Sequence, residues 1–427
     1  MRRRVYVVDG ARTPFLKARG EPGPFTPVDL AVQCGRPLLL RQPFEPDAFD
    51  QVILGCVNVI ADEMNPARIA ALRLGTGDAT VAYTVQINCG SGMQSIDSAF
   101  RSIQRGESDL VLAGGAEALS HAPLVFRRDA VHWFASLGAA DGALDAARAA
   151  VGFRPEFLKP VVGLERGLTD PISDLNMGQT AEVLAHLFEV SREEADGYAL
   201  ESHRRLARAH AEGRFVGELE PAFSPDGRIF ERDDGVRPDT SMEALAKLAP
   251  AFEKPWGKLT AGNSSQITDG ASWVILASEE ALKRYGLEPR AEIVDSAWTA
   301  LSPRIMGLAP VSCVTQLLLA RDLTLADIEL WEINEAFAAQ VLACLEAWHS
   351  PDFRRDVLGL DRDFGGIGRE RLNVDGGAIG LGHPVGASGN RIVLHLVNAL
   401  RREGRKLGVA SECIGGGQGG AMLIEAL

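Results

Sequence analysis

The chain has 427 residues, 46% of them hydrophobic and 24% charged, with a mean hydropathy of zero, which is enough core-forming material for two or three units of a globular protein. A formal charge of −13 leaves no basic field for a nucleic-acid backbone, and the clusters Arg2 to Arg4 and Arg401 to Lys406 are too short to reverse it at long range. MRRRVYVVDG holds too few apolar residues for a signal-peptide core and no apolar run reaches membrane-spanning length, so a cytoplasmic protein without an integral membrane segment is expected.

In chain order, RVYVVDG and QVILGCVNV read as strands. TVQINC reads as a third, followed by a helix over GMQSIDSAFRSIQRG in which Met93, Ile96, Phe100 and Ile103 mark one face. DLVLAGG then closes a β-α-β unit. From about Ser120 to Pro255 the texture changes to Pro, Arg and Asp with embedded helical stretches, a long excursion of the kind that covers or shapes a site. Within it, VHWFASL is expected to serve an interface or the core rather than to lie exposed. LWEIN reads as a strand that meets a helix at NEAFAAQ, and PDFRRDVLGLDRDFGGIGRER after it as a charged surface loop. Near the C-terminus the earlier order recurs: a helix over GASGNRIVLHLVNALRREG, with Ile392, Leu396, Ala399 and Leu400 on one face, a Gly turn, then the strand KLGVASECIGGG and a closing strand AMLIEAL. The weak repeat predicts a duplicated α/β fold whose halves each bring a strand-to-helix junction to a shared centre.

The six cysteines show neither C-x-x-C pairs nor a zinc-ligand spacing, so no metal and no disulfide framework is expected, and Cys34, Cys56, Cys313 and Cys344 read as small buried hydrophobes. Cys89 differs. In TVQINCGSGMQS it stands where a strand meets a helix N-terminus, whose dipole favours the thiolate and so marks a candidate nucleophile. Its neighbours Gly90 and Gly92 permit a tight turn and close approach of a carbonyl to main-chain N–H groups. A buried core cysteine in a Gly turn explains this stretch equally well.

DGGAIGLGHPVGASG holds six glycines in fifteen residues and one histidine, His383, placed to take a proton from a thiol of the other half and then to polarise a carbonyl. The remaining histidines read as structural. In SECIGGGQGG, Gly415, Gly417 and Gly420 satisfy the dinucleotide pattern G-x-G-x-x-G, but only a strand follows, with no helix to receive a pyrophosphate. Cys413, ahead of exposed N–H groups, is instead a second thiol able to act as acid and base beside an oxyanion site. Asn334 and Glu335 fit an N-cap followed by a first-turn acid, and the Asn334 amide can also hold a catalytic water.

Together NCGSGMQ, NEAFA, GGAIGLGHPVGASG and CIGGGQGG resemble the four catalytic blocks of the thiolase family, with ARTPF, NMGQTAE and TAGNSSQITDGAS in order among them over essentially the whole chain. The resemblance implies a duplicated five-layer α-β-α-β-α architecture with an inserted loop domain: residues 1–119 and 256–278 as the N-terminal half, 120–255 as the insertion, 279–427 as the C-terminal half. It implies an acyl-CoA C-acyltransferase that cleaves 3-ketoacyl-CoA or runs the reverse Claisen condensation, as in fatty-acid metabolism and β-oxidation, with coenzyme A as substrate and no bound cofactor. Cys89 would carry the acyl group, His383 would activate it, and Cys413 would exchange the proton of the carbanion equivalent. N–H groups of Cys89 and Gly415 would hold one oxyanion, and His383 with a water on Asn334 the other. Ser265 and Ala261 match positions near the pantetheine arm, and Met177 and Phe337 positions along the acyl pocket.

Two departures stand out. Asn176 replaces the histidine that short-chain biosynthetic thiolases carry before MG, and the insertions resemble β-subunits of fatty-acid-oxidation complexes, which often read HEAFA where this chain keeps asparagine. A homodimer or homotetramer is implied, with a β-oxidation multienzyme subunit as the other assembly. The alternatives are a β-ketoacyl synthase relative, which would use two histidines with its cysteine, and a catalytically silent acyl-CoA-binding or scaffold protein, which would have no need of Cys89 and His383.

Overall fold

A computed structural model describes residues 3–427; Arg2 of the basic N-terminal cluster lies outside the described residues. The N-terminal half contains strands β1 (Val5–Arg12), β2 (Gln51–Gly55), β3 (Val81–Val85) and β4 (Leu110–Ala118) with helices α1 (Pro27–Leu40), α2 (Pro66–Leu74) and α3 (Ser91–Arg105). The excursion folds into α4 (Arg128–Gly138), α5 (Ala143–Val151), α6 (Met177–Leu187) and α7 (Arg192–Ala211) before β5 (Thr268–Ser278) returns to the first sheet. Beyond it come β6 (Ala291–Ala300), α8 (Ala309–Leu319), β7 (Leu330–Ile333), α9 (Ala338–His349), α10 (Val385–Glu403), β8 (Leu407–Ile414) and β9 (Gln418–Ala426).

The long strands form one path, β7-β8-β9-β6-β1-β5-β4-β2-β3. Its two arms meet only where Tyr6 and Val7 of β1 pair with Glu292 and Ala291 of β6. Helices α3 and α10 pack against each other and α10 touches strands of both arms, so they form the central layer. Outside lie α1 and α2 on one arm, and α8 backed by α9 on the other. The result is the expected five-layer α-β-α-β-α order. It explains why α10 is buried nearly all round despite an amphipathic sequence: Ile392, Leu396, Ala399 and Leu400 face one arm, while small Gly386, Ala387 and Gly389 admit the other side's backbone. Both central helices end on glycines in left-handed conformation, Gly106 (φ 76) and Gly404 (φ 62), as the turn signals predict.

Several segments depart from expectation. The strand read at TVQINC ends at Val85, and residues 86–90 form an irregular junction. The tract VHWFASL lies largely on the surface of α4, with Val131 and Phe134 exposed, so it does not serve the core; Trp133 packs edge-on or tilted against Phe134 and Phe153 and bonds the Ala149 carbonyl, a small aromatic cluster separate from the main cores. The stretch 351–371, read as a charged surface loop, is stitched down by Phe364 and Ile367, which are buried in the core around α8 and α9. No helix among the described residues is long and apolar enough to cross a membrane.

A buried seam of charge joins four segments. Arg12 of β1 donates from Nε to Glu218 at 2.8 Å and from Nη1 and Nη2 to Asp233 at 2.7 and 3.0 Å. Glu218 also accepts from His395 of α10 at 3.0 Å, and the other ring nitrogen of His395 lies 3.2 Å from Asp375, which Arg214 and Arg402 pair in turn. Burial works against the His395 cation, yet Glu218 and Asp375 raise its pKa to about 10.

Candidate active site

Cys89 sits one residue ahead of the N-cap of α3 on a sharp elbow. Asn88 adopts the left-handed region (φ 46), which asparagine tolerates better than most residues, and Ser91 locks the turn by donating to the Asn88 carbonyl at 2.7 Å and accepting from the Ile87 N–H at 2.9 Å. The Asn88 amide crosses to the other half and donates to the Gly415 carbonyl at 2.8 Å. Cys89 remains partly exposed while Cys413 is fully buried. The two thiols belong to separate halves, and Cys89 is close enough to add to the cost of ionising Cys413.

Burial pushes the Cys89 thiol up to about 12, a push that a hydrogen bond from the Gly415 main chain only partly offsets. Burial thus acts against the pull of the helix N-terminus toward the thiolate. Cys89 therefore needs a base. Burial holds His383 down to about 4, aided by the Arg391 charge, so its ring is neutral and able to accept a proton. Ser388, one helical turn on, lies 2.6 Å from His383 Nδ1 and donates its own proton to the Pro384 carbonyl at 3.1 Å. With its proton so committed, Ser388 accepts from Nδ1–H, which leaves the lone pair on Nε2, a buried atom with no protein partner.

Close backbone contact brings the two junctions together. A Cβ on Gly92 of α3 would lie 2.7 Å from the Asn390 nitrogen and 2.9 Å from the Gly386 carbonyl of α10, so no larger residue fits this crossing. Gly382, at φ 104, turns the chain immediately before His383 in a conformation closed to other residues. From the far side of β4, Glu117 accepts main-chain N–H groups of Val57, Asn58 and Gly386 at 3.1, 2.9 and 3.0 Å; burial raises its pKa to about 7.

The asparagine block is not a helix cap. Helix α9 begins only at Ala338, and Asn334 and Glu335 lie in the loop before it because Glu335 is held elsewhere, by Tyr198, Ser202 and Asn373 side chains at 3.0, 2.7 and 3.0 Å. Asn334 is wholly buried and neither end of its amide finds a protein partner. The Ser265 N–H donates to the Ala336 carbonyl at 3.0 Å and the His383 N–H to the Gln266 carbonyl at 2.9 Å, so the strip 265–266 bridges the asparagine loop and the histidine loop.

The remaining candidates line the approach. Met177 starts α6 with its sulfur against Gly415, and Phe337 packs edge-on to Phe252 at 5.7 Å. Ser265 is partly exposed and Ala261 exposed on the same loop. Asn176 spends its side chain capping α6, accepting from the Gln179 N–H at 2.9 Å. Gly417 and Gly420 belong to the β8–β9 connection and β9, with no helix after them. Sequence reasoning passed over Glu117, Ser388 and the anchoring role of Glu335. Ser388 alone left a trace, its one-turn spacing from His383; the other two act on partners remote in the chain.

The described residues thus offer two thiols, a neutral imidazole, the main chain of Gly415 beside Cys89, and two buried polar groups without a protein partner, His383 Nε2 and the Asn334 amide. The family model described as the thiolase N-terminal domain matches residues 5–280, and that of the thiolase C-terminal domain residues 287–426. The chain is 38% identical to the β-ketoadipyl-CoA thiolase of Pseudomonas aeruginosa, with 100% of each covered. It is 37% identical to the mitochondrial trifunctional enzyme subunit beta of Bos taurus, covering 99% of this chain and 88% of that one. The crystal structure of human mitochondrial 3-ketoacyl-CoA thiolase in complex with CoA superposes with a TM-score of 0.85 at 37% identity, covering 100% of this chain and 98% of the other.

Proposed function

The chain belongs to the thiolase family, and on that premise we propose how its residues divide the work. The activity is acyl-CoA C-acyl transfer: thiolytic cleavage of a 3-ketoacyl-CoA to acyl-CoA and acetyl-CoA, or the reverse condensation, with coenzyme A as substrate and no separate cofactor.

Nε2 of His383 takes the Cys89 proton, and the sulfur attacks the 3-keto carbon, whose oxygen accepts from the main-chain N–H groups of Cys89 and Gly415. The C2–C3 bond then breaks. Its electron pair forms the enolate of acetyl-CoA, which leans on His383 and on a water held by Asn334 until Cys413 delivers a proton to C2. The thiol of coenzyme A then gives its proton to the Cys413 thiolate and attacks the acyl-Cys89 thioester; acyl-CoA leaves, and the Cys89 sulfur takes back its proton from His383. Breaking a carbon–carbon bond needs this separation of an acyl acceptor from an enolate sink. The observations that support the assignment are that Cys89 lies by the Gly415 main chain and Cys413, that the junctions of α3 and α10 cross at Gly92 and Gly386, and that two buried polar groups, His383 Nε2 and the Asn334 amide, have no partner within the protein. Ser265 and Ala261 are assigned to the pantetheine arm, Met177 and Phe337 to the acyl pocket, and the halves and the insertion to the boundaries given above.

The assembly proposed is a homodimer or homotetramer in the cytoplasm. The relative that is a trifunctional enzyme β subunit, together with the length of the excursion, supports a second form in which this chain serves a multienzyme complex. Thiolysis of acetoacetyl-CoA and of a medium-chain 3-ketoacyl-CoA by purified protein with added coenzyme A tests the assignment. Loss of the 3-keto thioester is expected with at least one; folded protein that cleaves neither and carries an unacylated Cys89 would return the silent-binder alternative.

A further inference from the structure

Glu412 is a buried carboxyl that the chemistry above does not use. It precedes Cys413 in β8, and strand alternation turns it to the opposite face, toward the central helices. There its Oε1 presses on Gly389 of α10 at the spot where the Met93 nitrogen of α3 also arrives; a Cβ on Gly389 would lie 2.6 Å from that nitrogen and overlap the carboxyl oxygen. Glu412 is wholly buried and neither of its oxygens has a hydrogen-bond partner in the protein.

The nearest cation is Arg391 of α10, already committed: its Nη1 donates to Glu332 Oε2 at 3.0 Å, while its Nε is unpartnered. Glu332 of β7 stands opposite Ala410 in the parallel register, two residues from Glu412, so both carboxyls occupy one face of the sheet with Arg391 above them. Two carboxyls thus share one buried arginine. A second buried anion there would be uncompensated, and burial, opposed only by Arg391, raises the Glu412 pKa well above the ordinary range. The groups that feel its charge are Arg391 from α10, Cys89 ahead of α3, Cys413 on its own strand and Cys313 of α8 across the sheet; β9 presents only Gly420 opposite it.

We propose that Glu412 is a positioning residue that sets the reactivity of Cys89 and Cys413 through the charge on its carboxyl, with Arg391 and Glu332 as its counter-ion set. Uncharged, the carboxyl leaves the thiols to His383. Once its proton is lost to solvent at alkaline pH, the anion opposes formation of either thiolate and restrains the site. The inference rests on the assignment of Cys89 and Cys413 to the reaction.

The test is the pH dependence of Cys89 alkylation by iodoacetamide, read by peptide mass and independent of any acyl substrate. Glu412→Gln and Glu412→Leu should both alkylate faster than the native protein at pH 9, by at least about threefold, the size of a half-unit shift in a thiol titration. Glu412→Asp, which keeps the charge, should retain the native profile. Superimposable profiles in the native, Gln and Leu forms, or an equal acceleration in Glu412→Asp, would overturn the proposal. If the neutral variants do not fold, infrared spectra of the native protein decide: a protonated carboxyl band present at pH 7 and lost by pH 9 supports it, and a band absent at pH 7 or unchanged at pH 9 overturns it. Failure of the underlying assignment looks different, since a Cys89→Ser protein that still cleaves 3-ketoacyl-CoA would refute that, whatever Glu412 does.

Discussion

Two buried polar regions sit within the same molecule and are built on opposite rules. In the seam Arg12–Glu218–His395–Asp375, with Asp233, Arg214 and Arg402 attached, each charge faces an opposite one and the contacts join β1, the excursion, α10 and the loop that leads to His383. At the catalytic centre, Asn334, His383 Nε2 and Glu412 are equally buried and lack protein partners. Buried polar atoms normally find partners because an unmade hydrogen bond costs about 1–3 kcal/mol. The difference separates two uses of buried polarity: paired charge fixes geometry in the seam, and at the proposed catalytic centre the unpartnered Nε2 of His383 and amide of Asn334 are open to a reacting oxygen or proton.

The sharpest way to break that comparison is at the nucleophile. Cys89→Ser should lower thiolysis by about a thousandfold or more while its thermal melting curve stays that of the native protein. Near-native turnover would remove Cys89 from the chemistry. Cys413→Ala should cost about 10²- to 10⁴-fold in steady-state thiolysis. Rapid-quench labelling with an acyl-CoA should nevertheless show Cys89 becoming acylated, so the two cysteines fail at different steps. If acylation is lost as well, the division of labour between the halves is wrong.

The seam should answer in stability rather than turnover. Arg12→Met strands Glu218 and Asp233 and should cost about 3–5 kcal/mol in urea unfolding, while folded molecules keep their thiolysis rate. Loss of activity without loss of stability would make the seam part of the site. The mildest perturbation is pH. His395 is raised from 6.5 to about 10, so its contribution is complete below 6.5 and is lost as pH climbs through 10. Glu218 is lowered from 4.5 to about 2, against its own burial and chiefly by His395 and Arg12, so its contribution is complete above 4.5 and is lost on acidification toward 2. The contribution of the seam to the melting temperature should therefore be complete between pH 4.5 and 6.5 and decline on both sides, and His395→Gln should remove its alkaline decline. An unchanged alkaline limb in that variant would show that another group carries it.

Much of this was legible before any coordinates. The helices over residues 91–105 and 385–403 followed from periodicity, since an apolar stripe persists even where a helix is buried all round. Cys89, His383 and Cys413 stood out because reactive side chains among glycines mark backbone kept clear for substrate. Other features could not be seen. The irregular junction at 86–90 depends on Asn88 reaching Gly415 in the other half, and Asn334 escapes the N-cap role only because Tyr198, Ser202 and Asn373 hold its neighbour. How far burial raises the Cys89 thiol was hidden as well, because burial is a property of the assembled layers and not of the motif. Phe364 and Ile367, inside a segment dense in arginine and aspartate, carried too weak an apolar signal against their charged neighbours to be read as anchors.

The place of β1 has a consequence for the order of synthesis. It pairs with β5 along most of its length and with β6 at its start, so this strand, once made, can find no sheet partner until residues 268–278 have left the ribosome. At roughly 5–20 residues per second that interval is some tens of seconds. Throughout it, an apolar strand with both edges open trails from the growing chain, a natural client for a chaperone and the first point at which crowded expression would turn to aggregation.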